Sequence, residues 1–196
     1  MVISPKTRSI FIHIQKTGGS SIEEALKAAD DSIGTNLYGG QRHVSAKNFR
    51  NAIDPAIWNG YYKFAFVRNP WDRLVSRHRM CMESGGNKFQ TYVRLNHPEF
   101  SDFIKNGNCE RLEKTCQNQL DFITDDNGNL LVDYIGRFEN LEEDFRKTGL
   151  VASGARLPHI NKSSHTDYRS YYTDETREIV GRRHAKNCEF FGYQFD

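Results

Sequence analysis

Two short apolar runs, each followed by a helix signal, dominate the pattern of hydrophobic and polar positions. Residues 9–14 (SIFIHI) and 61–67 (YYKFAFV) are rich in Ile, Phe and Val, which predicts two buried strands. A glycine-containing loop follows the first run, and apolar residues then recur at helical spacing from Ile22 to Ala29. The first run therefore begins a unit of strand, loop and helix, and Glu23 and Glu24 are expected in the first turn of that helix.

The second run leads into a helix whose start is marked by three residues. Asn69 can cap the helix, Pro70 suits its first position, and Asp72 complements the positive end of the helix dipole. We predict that this helix runs to about Met82. Two such units early in the chain favour an α/β fold with a mainly parallel sheet.

The remainder of the chain carries weaker signals. Periodicity and turn residues predict a strand over 130–135 and helices over 100–104, 109–123, 141–147 and 174–186. No repeat, low-complexity segment or linker interrupts the pattern. We therefore expect residues 1–196 to form a single domain.

Composition narrows the class of protein. Hydrophobic residues make up 37% of the chain and aromatic residues 12%, which is enough apolar surface for a folded core. The net charge of +2 argues against a general nucleic-acid binder, which needs a strong basic excess. The sequence carries neither a transmembrane segment nor a signal peptide. We expect a cytoplasmic protein, with a trimmed luminal domain as the alternative, and nothing in the sequence indicates an oligomeric state.

Cysteine and histidine spacing gives no sign of a metal site. The four cysteines are Cys81, Cys109, Cys116 and Cys188, and none forms a CxxC pair. Cys109 and Cys116 are close enough in sequence to bridge, although free thiols are expected in a reducing compartment. We expect no bound metal.

A first candidate site lies in the loop between the first predicted strand and its helix. Its residues are Lys16, Thr17, Gly18, Gly19, Ser20 and Ser21. Glycines let a backbone approach a ligand closely, and the helix N-terminus supplies free N–H groups that favour phosphate or sulfate. Lysine precedes the glycines, so the loop is not the Walker A motif GxxxxGK[ST]. The same residues equally fit a glycine turn beside a solvated lysine.

A second candidate site lies where the second predicted strand ends. Arg68 leaves that strand at its carboxyl end, where ligands bind in open α/β sheets. Ser76 follows within the next helix and could share an anion with Arg68. Taken alone, Asn69-Pro70 also fits an ordinary helix start, with Arg68 as a surface ion-pair partner.

Both sites, and three further stretches in order along the chain, resemble one family. The further stretches are 43–46 (HVSA), 135–141 (IGRFENL) and 190–195 (FFGYQF). Together they resemble the sulfotransferases that use 3′-phosphoadenosine 5′-phosphosulfate (PAPS), in the branch that contains heparan sulfate and uronyl 2-O-sulfotransferases and small bacterial members. The resemblance implies a P-loop-like, three-layer α/β fold with a central, mainly parallel sheet flanked by helices.

The resemblance also implies which residues bind the nucleotide. Residues Lys16 to Ser21 would hold the 5′-phosphosulfate, and Arg68 and Ser76 would hold the 3′-phosphate. A late loop would cover the nucleotide through Asn161, Lys162 and Ser163. PAPS would be the donor, 3′-phosphoadenosine 5′-phosphate (PAP) the product, and no metal is required.

The chemistry of sulfuryl transfer points to a histidine base. The acceptor hydroxyl must lose a proton, and histidine is the natural base near neutral pH. His43 lies at the position of the family's catalytic histidine, and Lys16 would stabilise negative charge on the departing phosphate oxygen. Without the resemblance, His43 would be read as a solvent-exposed loop residue. The acceptor is expected to be a hydroxyl-bearing molecule, carbohydrates among the candidates.

Other residues and other functions stay open at this point. His13 is expected to be a packed or supporting residue, and residues 137–139 are expected to fix a strand–helix junction. One alternative function is a P-loop nucleotide kinase or NTPase, against which the missing GK[ST] order counts. Another is a non-catalytic module that binds PAP or a glycan on the same fold.

Overall fold

The structure, a computed structural model, describes residues 2–33, 42–83, 85–107, 112, 117–150, 157–158 and 167–196. The chain divides into two compact units. The first comprises Met1–Arg68 with Gln119–Asn161, and the second comprises Asn69–Asn118 with Lys162–Asp196. The single-domain interpretation of residues 1–196 stays a prediction.

The first unit contains a four-stranded, mostly parallel sheet. Its strands, in spatial order, are β1 (Val2–Ser4), β2 (Ser9–Ile12), β3 (Tyr62–Val67) and β4 (Tyr134–Arg137). Strand β1 is antiparallel to β2, whereas β2, β3 and β4 are parallel. All of β2 and most of β3 are buried, which explains why both read as continuous apolar runs. The predicted α/β class with a mainly parallel sheet is confirmed, and the P-loop-like arrangement stays a prediction.

The helices of the described residues are mostly short. In chain order they are α1 (Gly19–Ala29), α2 (Ala46–Arg50), α3 (Pro55–Gly60), α4 (Pro70–Met82), α5 (Lys88–Asn96), α6 (Phe100–Lys105), α7 (Leu141–Lys147), α8 (Asp174–Arg183) and α9 (Ala185–Phe191). None of the helices among the described residues has the length and apolar character needed to cross a membrane. Helices α1, α2, α3 and α7 belong to the first unit, and the others belong to the second.

Helices α1 and α7 pack on the sheet of the first unit. Phe11 and Phe64 stack across neighbouring strands with ring centroids 5.1 Å apart. They share a buried cluster with Ile22 and Leu26 of α1 and Phe145 of α7. Because α1 begins soon after β2 and packs on the sheet, its N-terminus lies at the carboxyl end of that strand.

The second unit is built around α4. The side chain of Asn69 accepts a hydrogen bond from the backbone N–H of Trp71 at 3.0 Å and so caps the helix as predicted. Its Nδ2 group donates to the carbonyl of Gln194 at 2.9 Å. The ring of Phe195 lies edge-on to Trp71, with centroids 5.6 Å apart. The C-terminal residues therefore hold the first turn of α4.

Three predictions of element bounds differ from the structure. Strand β4 begins at Tyr134 rather than at 130, because Leu130 forms an isolated antiparallel bridge with Thr124. The last predicted helix is two helices, which separate at His184. Residues 109–111 and 113–116 of the helix predicted over 109–123 lie outside the described residues, and near its end Leu120–Phe122 form a short 3-10 helix.

The cysteines that the structure describes are free thiols. Cys81 is buried in the core of the second unit, and Cys188 is partly buried. Burial raises the pKa of the Cys188 thiol and so suppresses its thiolate form. Cys109 and Cys116 lie outside the described residues.

Candidate functional site

The loop between β2 and α1 contains two residues in the left-handed backbone conformation. Gly18 caps α1 in the left-handed conformation, with φ at 80°, and Lys16 is also left-handed, with φ at 66°. A Cβ atom on Gly18 would lie 2.7 Å from Cδ2 of Leu141. The position therefore requires glycine for both its conformation and its packing. Gly18 has no side chain to cap α1, and the N–H of Ser21 donates to the Gly18 carbonyl at 3.0 Å, so the N–H groups of Gly19 and Ser20 are the donors of the first turn that suit an anion.

The side chains of the loop differ in what they can offer. Thr17 is fully buried, and its hydroxyl donates to the carbonyl of Ile14 at 2.9 Å. Thr17 can thus present only its backbone N–H to a ligand. Ser21 is buried, whereas Lys16 and Ser20 are partly exposed. The charge and one hydroxyl of the loop therefore lie at its surface.

Gly19, the first residue of α1, packs directly on the imidazole of His13. A Cβ atom at this position would overlap the His13 ring. The ring itself is held in place because it also stacks on Phe11, with centroids 5.5 Å apart. The close approach of loop and ring thus depends on the absence of a side chain at Gly19.

We expect Gly19→Ala to lower the free energy of unfolding by about 1–3 kcal/mol, because the added methyl group overpacks the His13 ring. Gly181→Ala in α8 is the matched control, since its Cβ would lie 3.4 Å from Trp71. The control should be more stable than the wild type by up to about 1 kcal/mol, as usual for glycine in a helix. Urea unfolding measures both variants, and a Gly19→Ala protein as stable as the wild type would contradict the packing argument.

A chain of polar contacts links α1 to His43. Glu23, which is 4% exposed, accepts from Nδ1 of His13 through Oε1 at 2.7 Å. Its other oxygen, Oε2, forms an ion pair with Arg42. Nδ1 of His43 lies 3.0 Å from the carbonyl oxygen of His13. The two imidazole rings meet edge to face, with centroids 4.5 Å apart.

These contacts fix the protonation of His43. A carbonyl oxygen only accepts hydrogen bonds, so Nδ1 of His43 carries the proton and Nε2 carries the lone pair. Burial, together with the neighbouring His13, lowers the pKa of His43 to about 3, although the hydrogen bond to the His13 carbonyl opposes that shift. His43 is therefore neutral at physiological pH, with a lone pair available on Nε2.

Glu23 and His13 form a buried pair of defined charge. Burial alone would raise the pKa of Glu23, but the hydrogen bonds from His13 and Arg42 lower it to about 2. Burial lowers the pKa of His13, against the opposing effect of Glu23. Glu23 is thus a carboxylate at neutral pH, and His13 is a neutral imidazole that donates its Nδ1–H.

Arg68 lies beside the loop of Lys16. It is 4% exposed, and Nη1 of its guanidinium donates to the carbonyl of Lys16 at 3.3 Å. The guanidinium carbon lies 3.9 Å from the centroid of the Phe138 ring. The side-chain amide of Gln119 bonds both the N–H and the carbonyl of Arg68, at 2.9 and 2.7 Å. Backbone and side chain of Arg68 are therefore both held.

The structure brings most of the sequence-predicted site residues together in the first unit. Lys16 contacts Arg68, and Gly19 and His43 both contact His13. Ser76 lies in α4 of the second unit, where it is 2% exposed. The candidate residues of the late loop, Asn161, Lys162 and Ser163, lie outside the described residues.

Sequence reasoning missed the supporting residues of the site. Glu23 was expected in the first turn of its helix, but α1 begins at Gly19 and Glu23 is buried one turn later. Phe138 does lie at a strand–helix junction, and it also packs on Arg68 and near Gly18. A charged residue among the buried positions of α1 is a signal that could have pointed to Glu23.

The comparisons with known proteins give one family. A family model described as "Sulfotransferase family" matches residues 1–194. A protein of Archaeoglobus fulgidus named "Uncharacterized protein" is 29% identical over 135 residues, which cover 61% of this chain and 92% of that protein. No solved structure matches the chain. The family match spans every residue of the site just described.

Proposed function

Because the chain belongs to the sulfotransferase family, we propose that it moves a sulfuryl group from PAPS to an acceptor hydroxyl, with His43 as the general base. The observation that carries the proposal is the grouping, in one compact unit, of an anion-binding loop, a buried arginine and a neutral histidine. Each of these groups has a separate task in sulfuryl transfer. The acceptor class that we propose is a small hydroxylated molecule, with carbohydrates first among the candidates.

The loop and Arg68 suit the two ends of the donor. The left-handed Gly18 and the N-terminus of α1 fit a phosphosulfate group, which the backbone N–H groups would bind. The guanidinium of Arg68 presents a planar fork that matches a phosphate, and we assign to it the 3′-phosphate. Ser76 and residues 161–163 keep their assignment from the family resemblance as a proposal.

His43 and Lys16 supply what the chemistry of the transfer demands. Bound PAPS supplies the activated sulfuryl group. Nε2 of His43 carries the lone pair that takes the proton from the acceptor hydroxyl, because Nδ1 is committed to the His13 carbonyl. Lys16, at the surface of the loop, offers positive charge where negative charge accumulates on the phosphate oxygens. Catalysis in this proposal is positioning and electrostatics.

A calorimetric titration of the purified protein with PAP, ADP and ATP tests the proposal. We expect PAP to bind at least about tenfold more tightly than ADP, because only PAP carries a 3′-phosphate, and a well-placed phosphate contact contributes more than about 1.4 kcal/mol. Equal or tighter binding of ATP would favour the kinase or NTPase reading instead. Absence of binding for all three nucleotides would overturn the donor assignment.

The low pKa of His43 predicts an unusual pH profile. A base acts only when it is unprotonated, so a pKa of about 3 moves the acid limb of the rate profile far below the ordinary histidine value of 6.5. Between about pH 8 and pH 5 we expect kcat/KM to change little, whereas an ordinary histidine base would lose about thirtyfold. The assay uses PAP release with the best acceptor from a hydroxylated panel.

The control for this profile is stability over the same pH range. The folded-state pKa values of His43 and the buried His184 are both lowered to about 3, so the unfolded chain binds more protons below about pH 6.5. Stability therefore falls as the pH falls from about 6.5 towards those folded-state values. Urea unfolding at each pH separates this loss from a loss of activity. A half-maximal rate near pH 6.5 in fully folded protein would contradict the predicted profile.

A further inference from the structure

Glu23 contacts His13 and Arg42, which are the spatial neighbour and the chain neighbour of His43. One carboxylate oxygen accepts the Nδ1–H of His13, and the other holds the guanidinium of Arg42. Arg42 is the chain neighbour of His43, and the ring and carbonyl of His13 contact the His43 imidazole. A single buried carboxylate on α1 therefore supports the histidine from two directions.

The proposed reaction does not use the side chains of His13 and Glu23 directly. His13 is 3% exposed and Glu23 is 4% exposed, and Nδ1 of His13 and Oε1 of Glu23 are bonded to each other. The Nε2 edge of His13 faces the backbone of Gly19. A buried carboxylate is costly in free energy unless its hydrogen bonds are satisfied, and here both oxygens have partners. The arrangement suits a role in orientation.

We propose that Glu23 and His13 are positioning residues that hold His43 in one tautomer and one orientation. The inference rests on the proposed function to the extent that His43 is the base. Glu23 fixes the His13 ring by the bond to Nδ1, and the His13 ring edge and carbonyl then fix the His43 ring. Arg42, held to Glu23, anchors the segment that carries His43 onto α1.

The expected size of the effect follows from the geometry that a base requires. A displacement of about 1 Å can cost about 100-fold in rate. Loss of an outer partner of a metal-bound histidine typically costs about 10- to 100-fold, and we take that as the scale here. Glu23→Gln keeps the shape of the side chain and can still accept from His13. When the amide oxygen of the glutamine side chain accepts from His13, the N–H₂ group that faces Arg42 cannot accept a hydrogen bond. The link between position 23 and Arg42 is then broken.

Histidine-selective ¹⁵N NMR of the purified protein tests the inference without any acceptor. In the wild type, His43 should show a single tautomer protonated at Nδ1. In Glu23→Gln we expect mixed tautomers, and a His43 pKa that rises towards 6.5 as the ring gains access to water. Removal of the Glu23 charge alone would lower the His43 pKa further. A rise in the His43 pKa therefore indicates that the ring has lost its fixed orientation, whereas a fall indicates only the loss of charge. A single Nδ1–H tautomer with an unchanged or lower pKa would overturn the proposal.

Asp30→Asn is the matched control. Asp30 is 1% exposed, caps the other end of α1, and accepts hydrogen bonds from Ser4 and Ser32. Loss of the Asp30 carboxylate should destabilise the protein about as much as Glu23→Gln does. It should leave the His43 tautomer as in the wild type. If it disturbs His43 equally, the role of Glu23 is only structural and the proposal fails.

A second variant covers the case in which Glu23→Gln does not fold. Arg42→Gln alters an exposed side chain and leaves the His13–Glu23 bond in place. Loss of the arginine charge raises the His43 pKa in any case, so only the tautomer is informative. Mixed tautomers support the anchoring of the His43 segment to Glu23 through Arg42, and a single Nδ1–H tautomer overturns that part of the proposal.

Kinetics and binding separate this inference from the proposed function. With wild-type protein that binds PAP and turns over, Glu23→Gln should lower kcat about 10- to 100-fold and change PAP affinity by less than about threefold. A kcat equal to that of the wild type would overturn the inference alone. Wild-type protein that does not bind PAP would overturn the proposed function, and the NMR result would stand independently.

Discussion

His43→Ala is expected to lower the turnover number by about 10²–10⁴-fold and to leave PAP binding as in the wild type. The magnitude is that of a general base, because Nε2 of His43 carries the available lone pair while Nδ1 donates to the His13 carbonyl. The ring is half-buried and lies against His13, so its removal leaves space rather than a charged gap. Steady-state kinetics with the best acceptor and calorimetry with PAP measure the two effects separately.

Chemical rescue is the control for the histidine variant. The space left by the ring can admit free imidazole, which should restore part of the turnover in His43→Ala and none in the wild type. Rescue should increase with pH through the pKa of free imidazole, since only the neutral form can act as a base. A turnover number within about threefold of the wild type, with unchanged PAP binding, would remove His43 from the reaction.

Arg68→Ala is expected to weaken PAP binding by at least about 30-fold and to affect ADP much less, so that the preference for PAP disappears. Removing one partner of a buried, charge-assisted contact typically costs about 2 kcal/mol or more. Arg68 is 4% exposed and stacks on Phe138, so its fork is oriented before the ligand arrives. Arg68→Lys should recover only part of the affinity, because an ammonium group lacks the planar fork. Calorimetry with PAP and ADP measures the ratio.

Arg8→Ala is the matched control for Arg68→Ala. Arg8 belongs to the same unit, lies over the ring of Tyr61 at 5.7 Å and donates to the carbonyl of Gly60. It is exposed, however, and lies outside the proposed site. PAP affinity should be unchanged in this variant. If Arg68→Ala binds PAP and ADP in the wild-type ratio, Arg68 does not recognise the 3′-phosphate.

Local signals in the sequence sufficed where the structure is determined by neighbouring residues. Helix α4 starts and ends as predicted, because Asn69 and Pro70 define its first turn and packing elsewhere does not alter it. The strands β2 and β3 were recognisable because both are buried along most of their length. The start of β4 was predicted wrongly, since Leu130 pairs with Thr124 across a turn that the apolar pattern does not reveal.

In the candidate site, too, features of the local sequence could be predicted, whereas contacts between distant segments could not. The positions of the glycine loop and Arg68 next to strand ends could be predicted from the sequence, and their role in anion binding stays a prediction. Glu23 and Phe138 were missed as site residues, because their contacts join segments that are far apart in sequence. An acidic residue near a helix start also has an ordinary explanation in the helix dipole, and only its burial contradicts that explanation.

The packing of Gly19 on His13 has a consequence for how this sequence can change over time. The methyl group of an alanine at position 19 and the imidazole at position 13 would occupy the same space. Position 19 therefore cannot take a larger side chain without loss of stability while position 13 keeps its imidazole, and a chain that acquires one is expected to carry a smaller residue at position 13. Since His13 is also bonded to Glu23, such a change would release that carboxylate and require a compensating substitution there. The three positions should thus co-vary among relatives as one evolutionary unit.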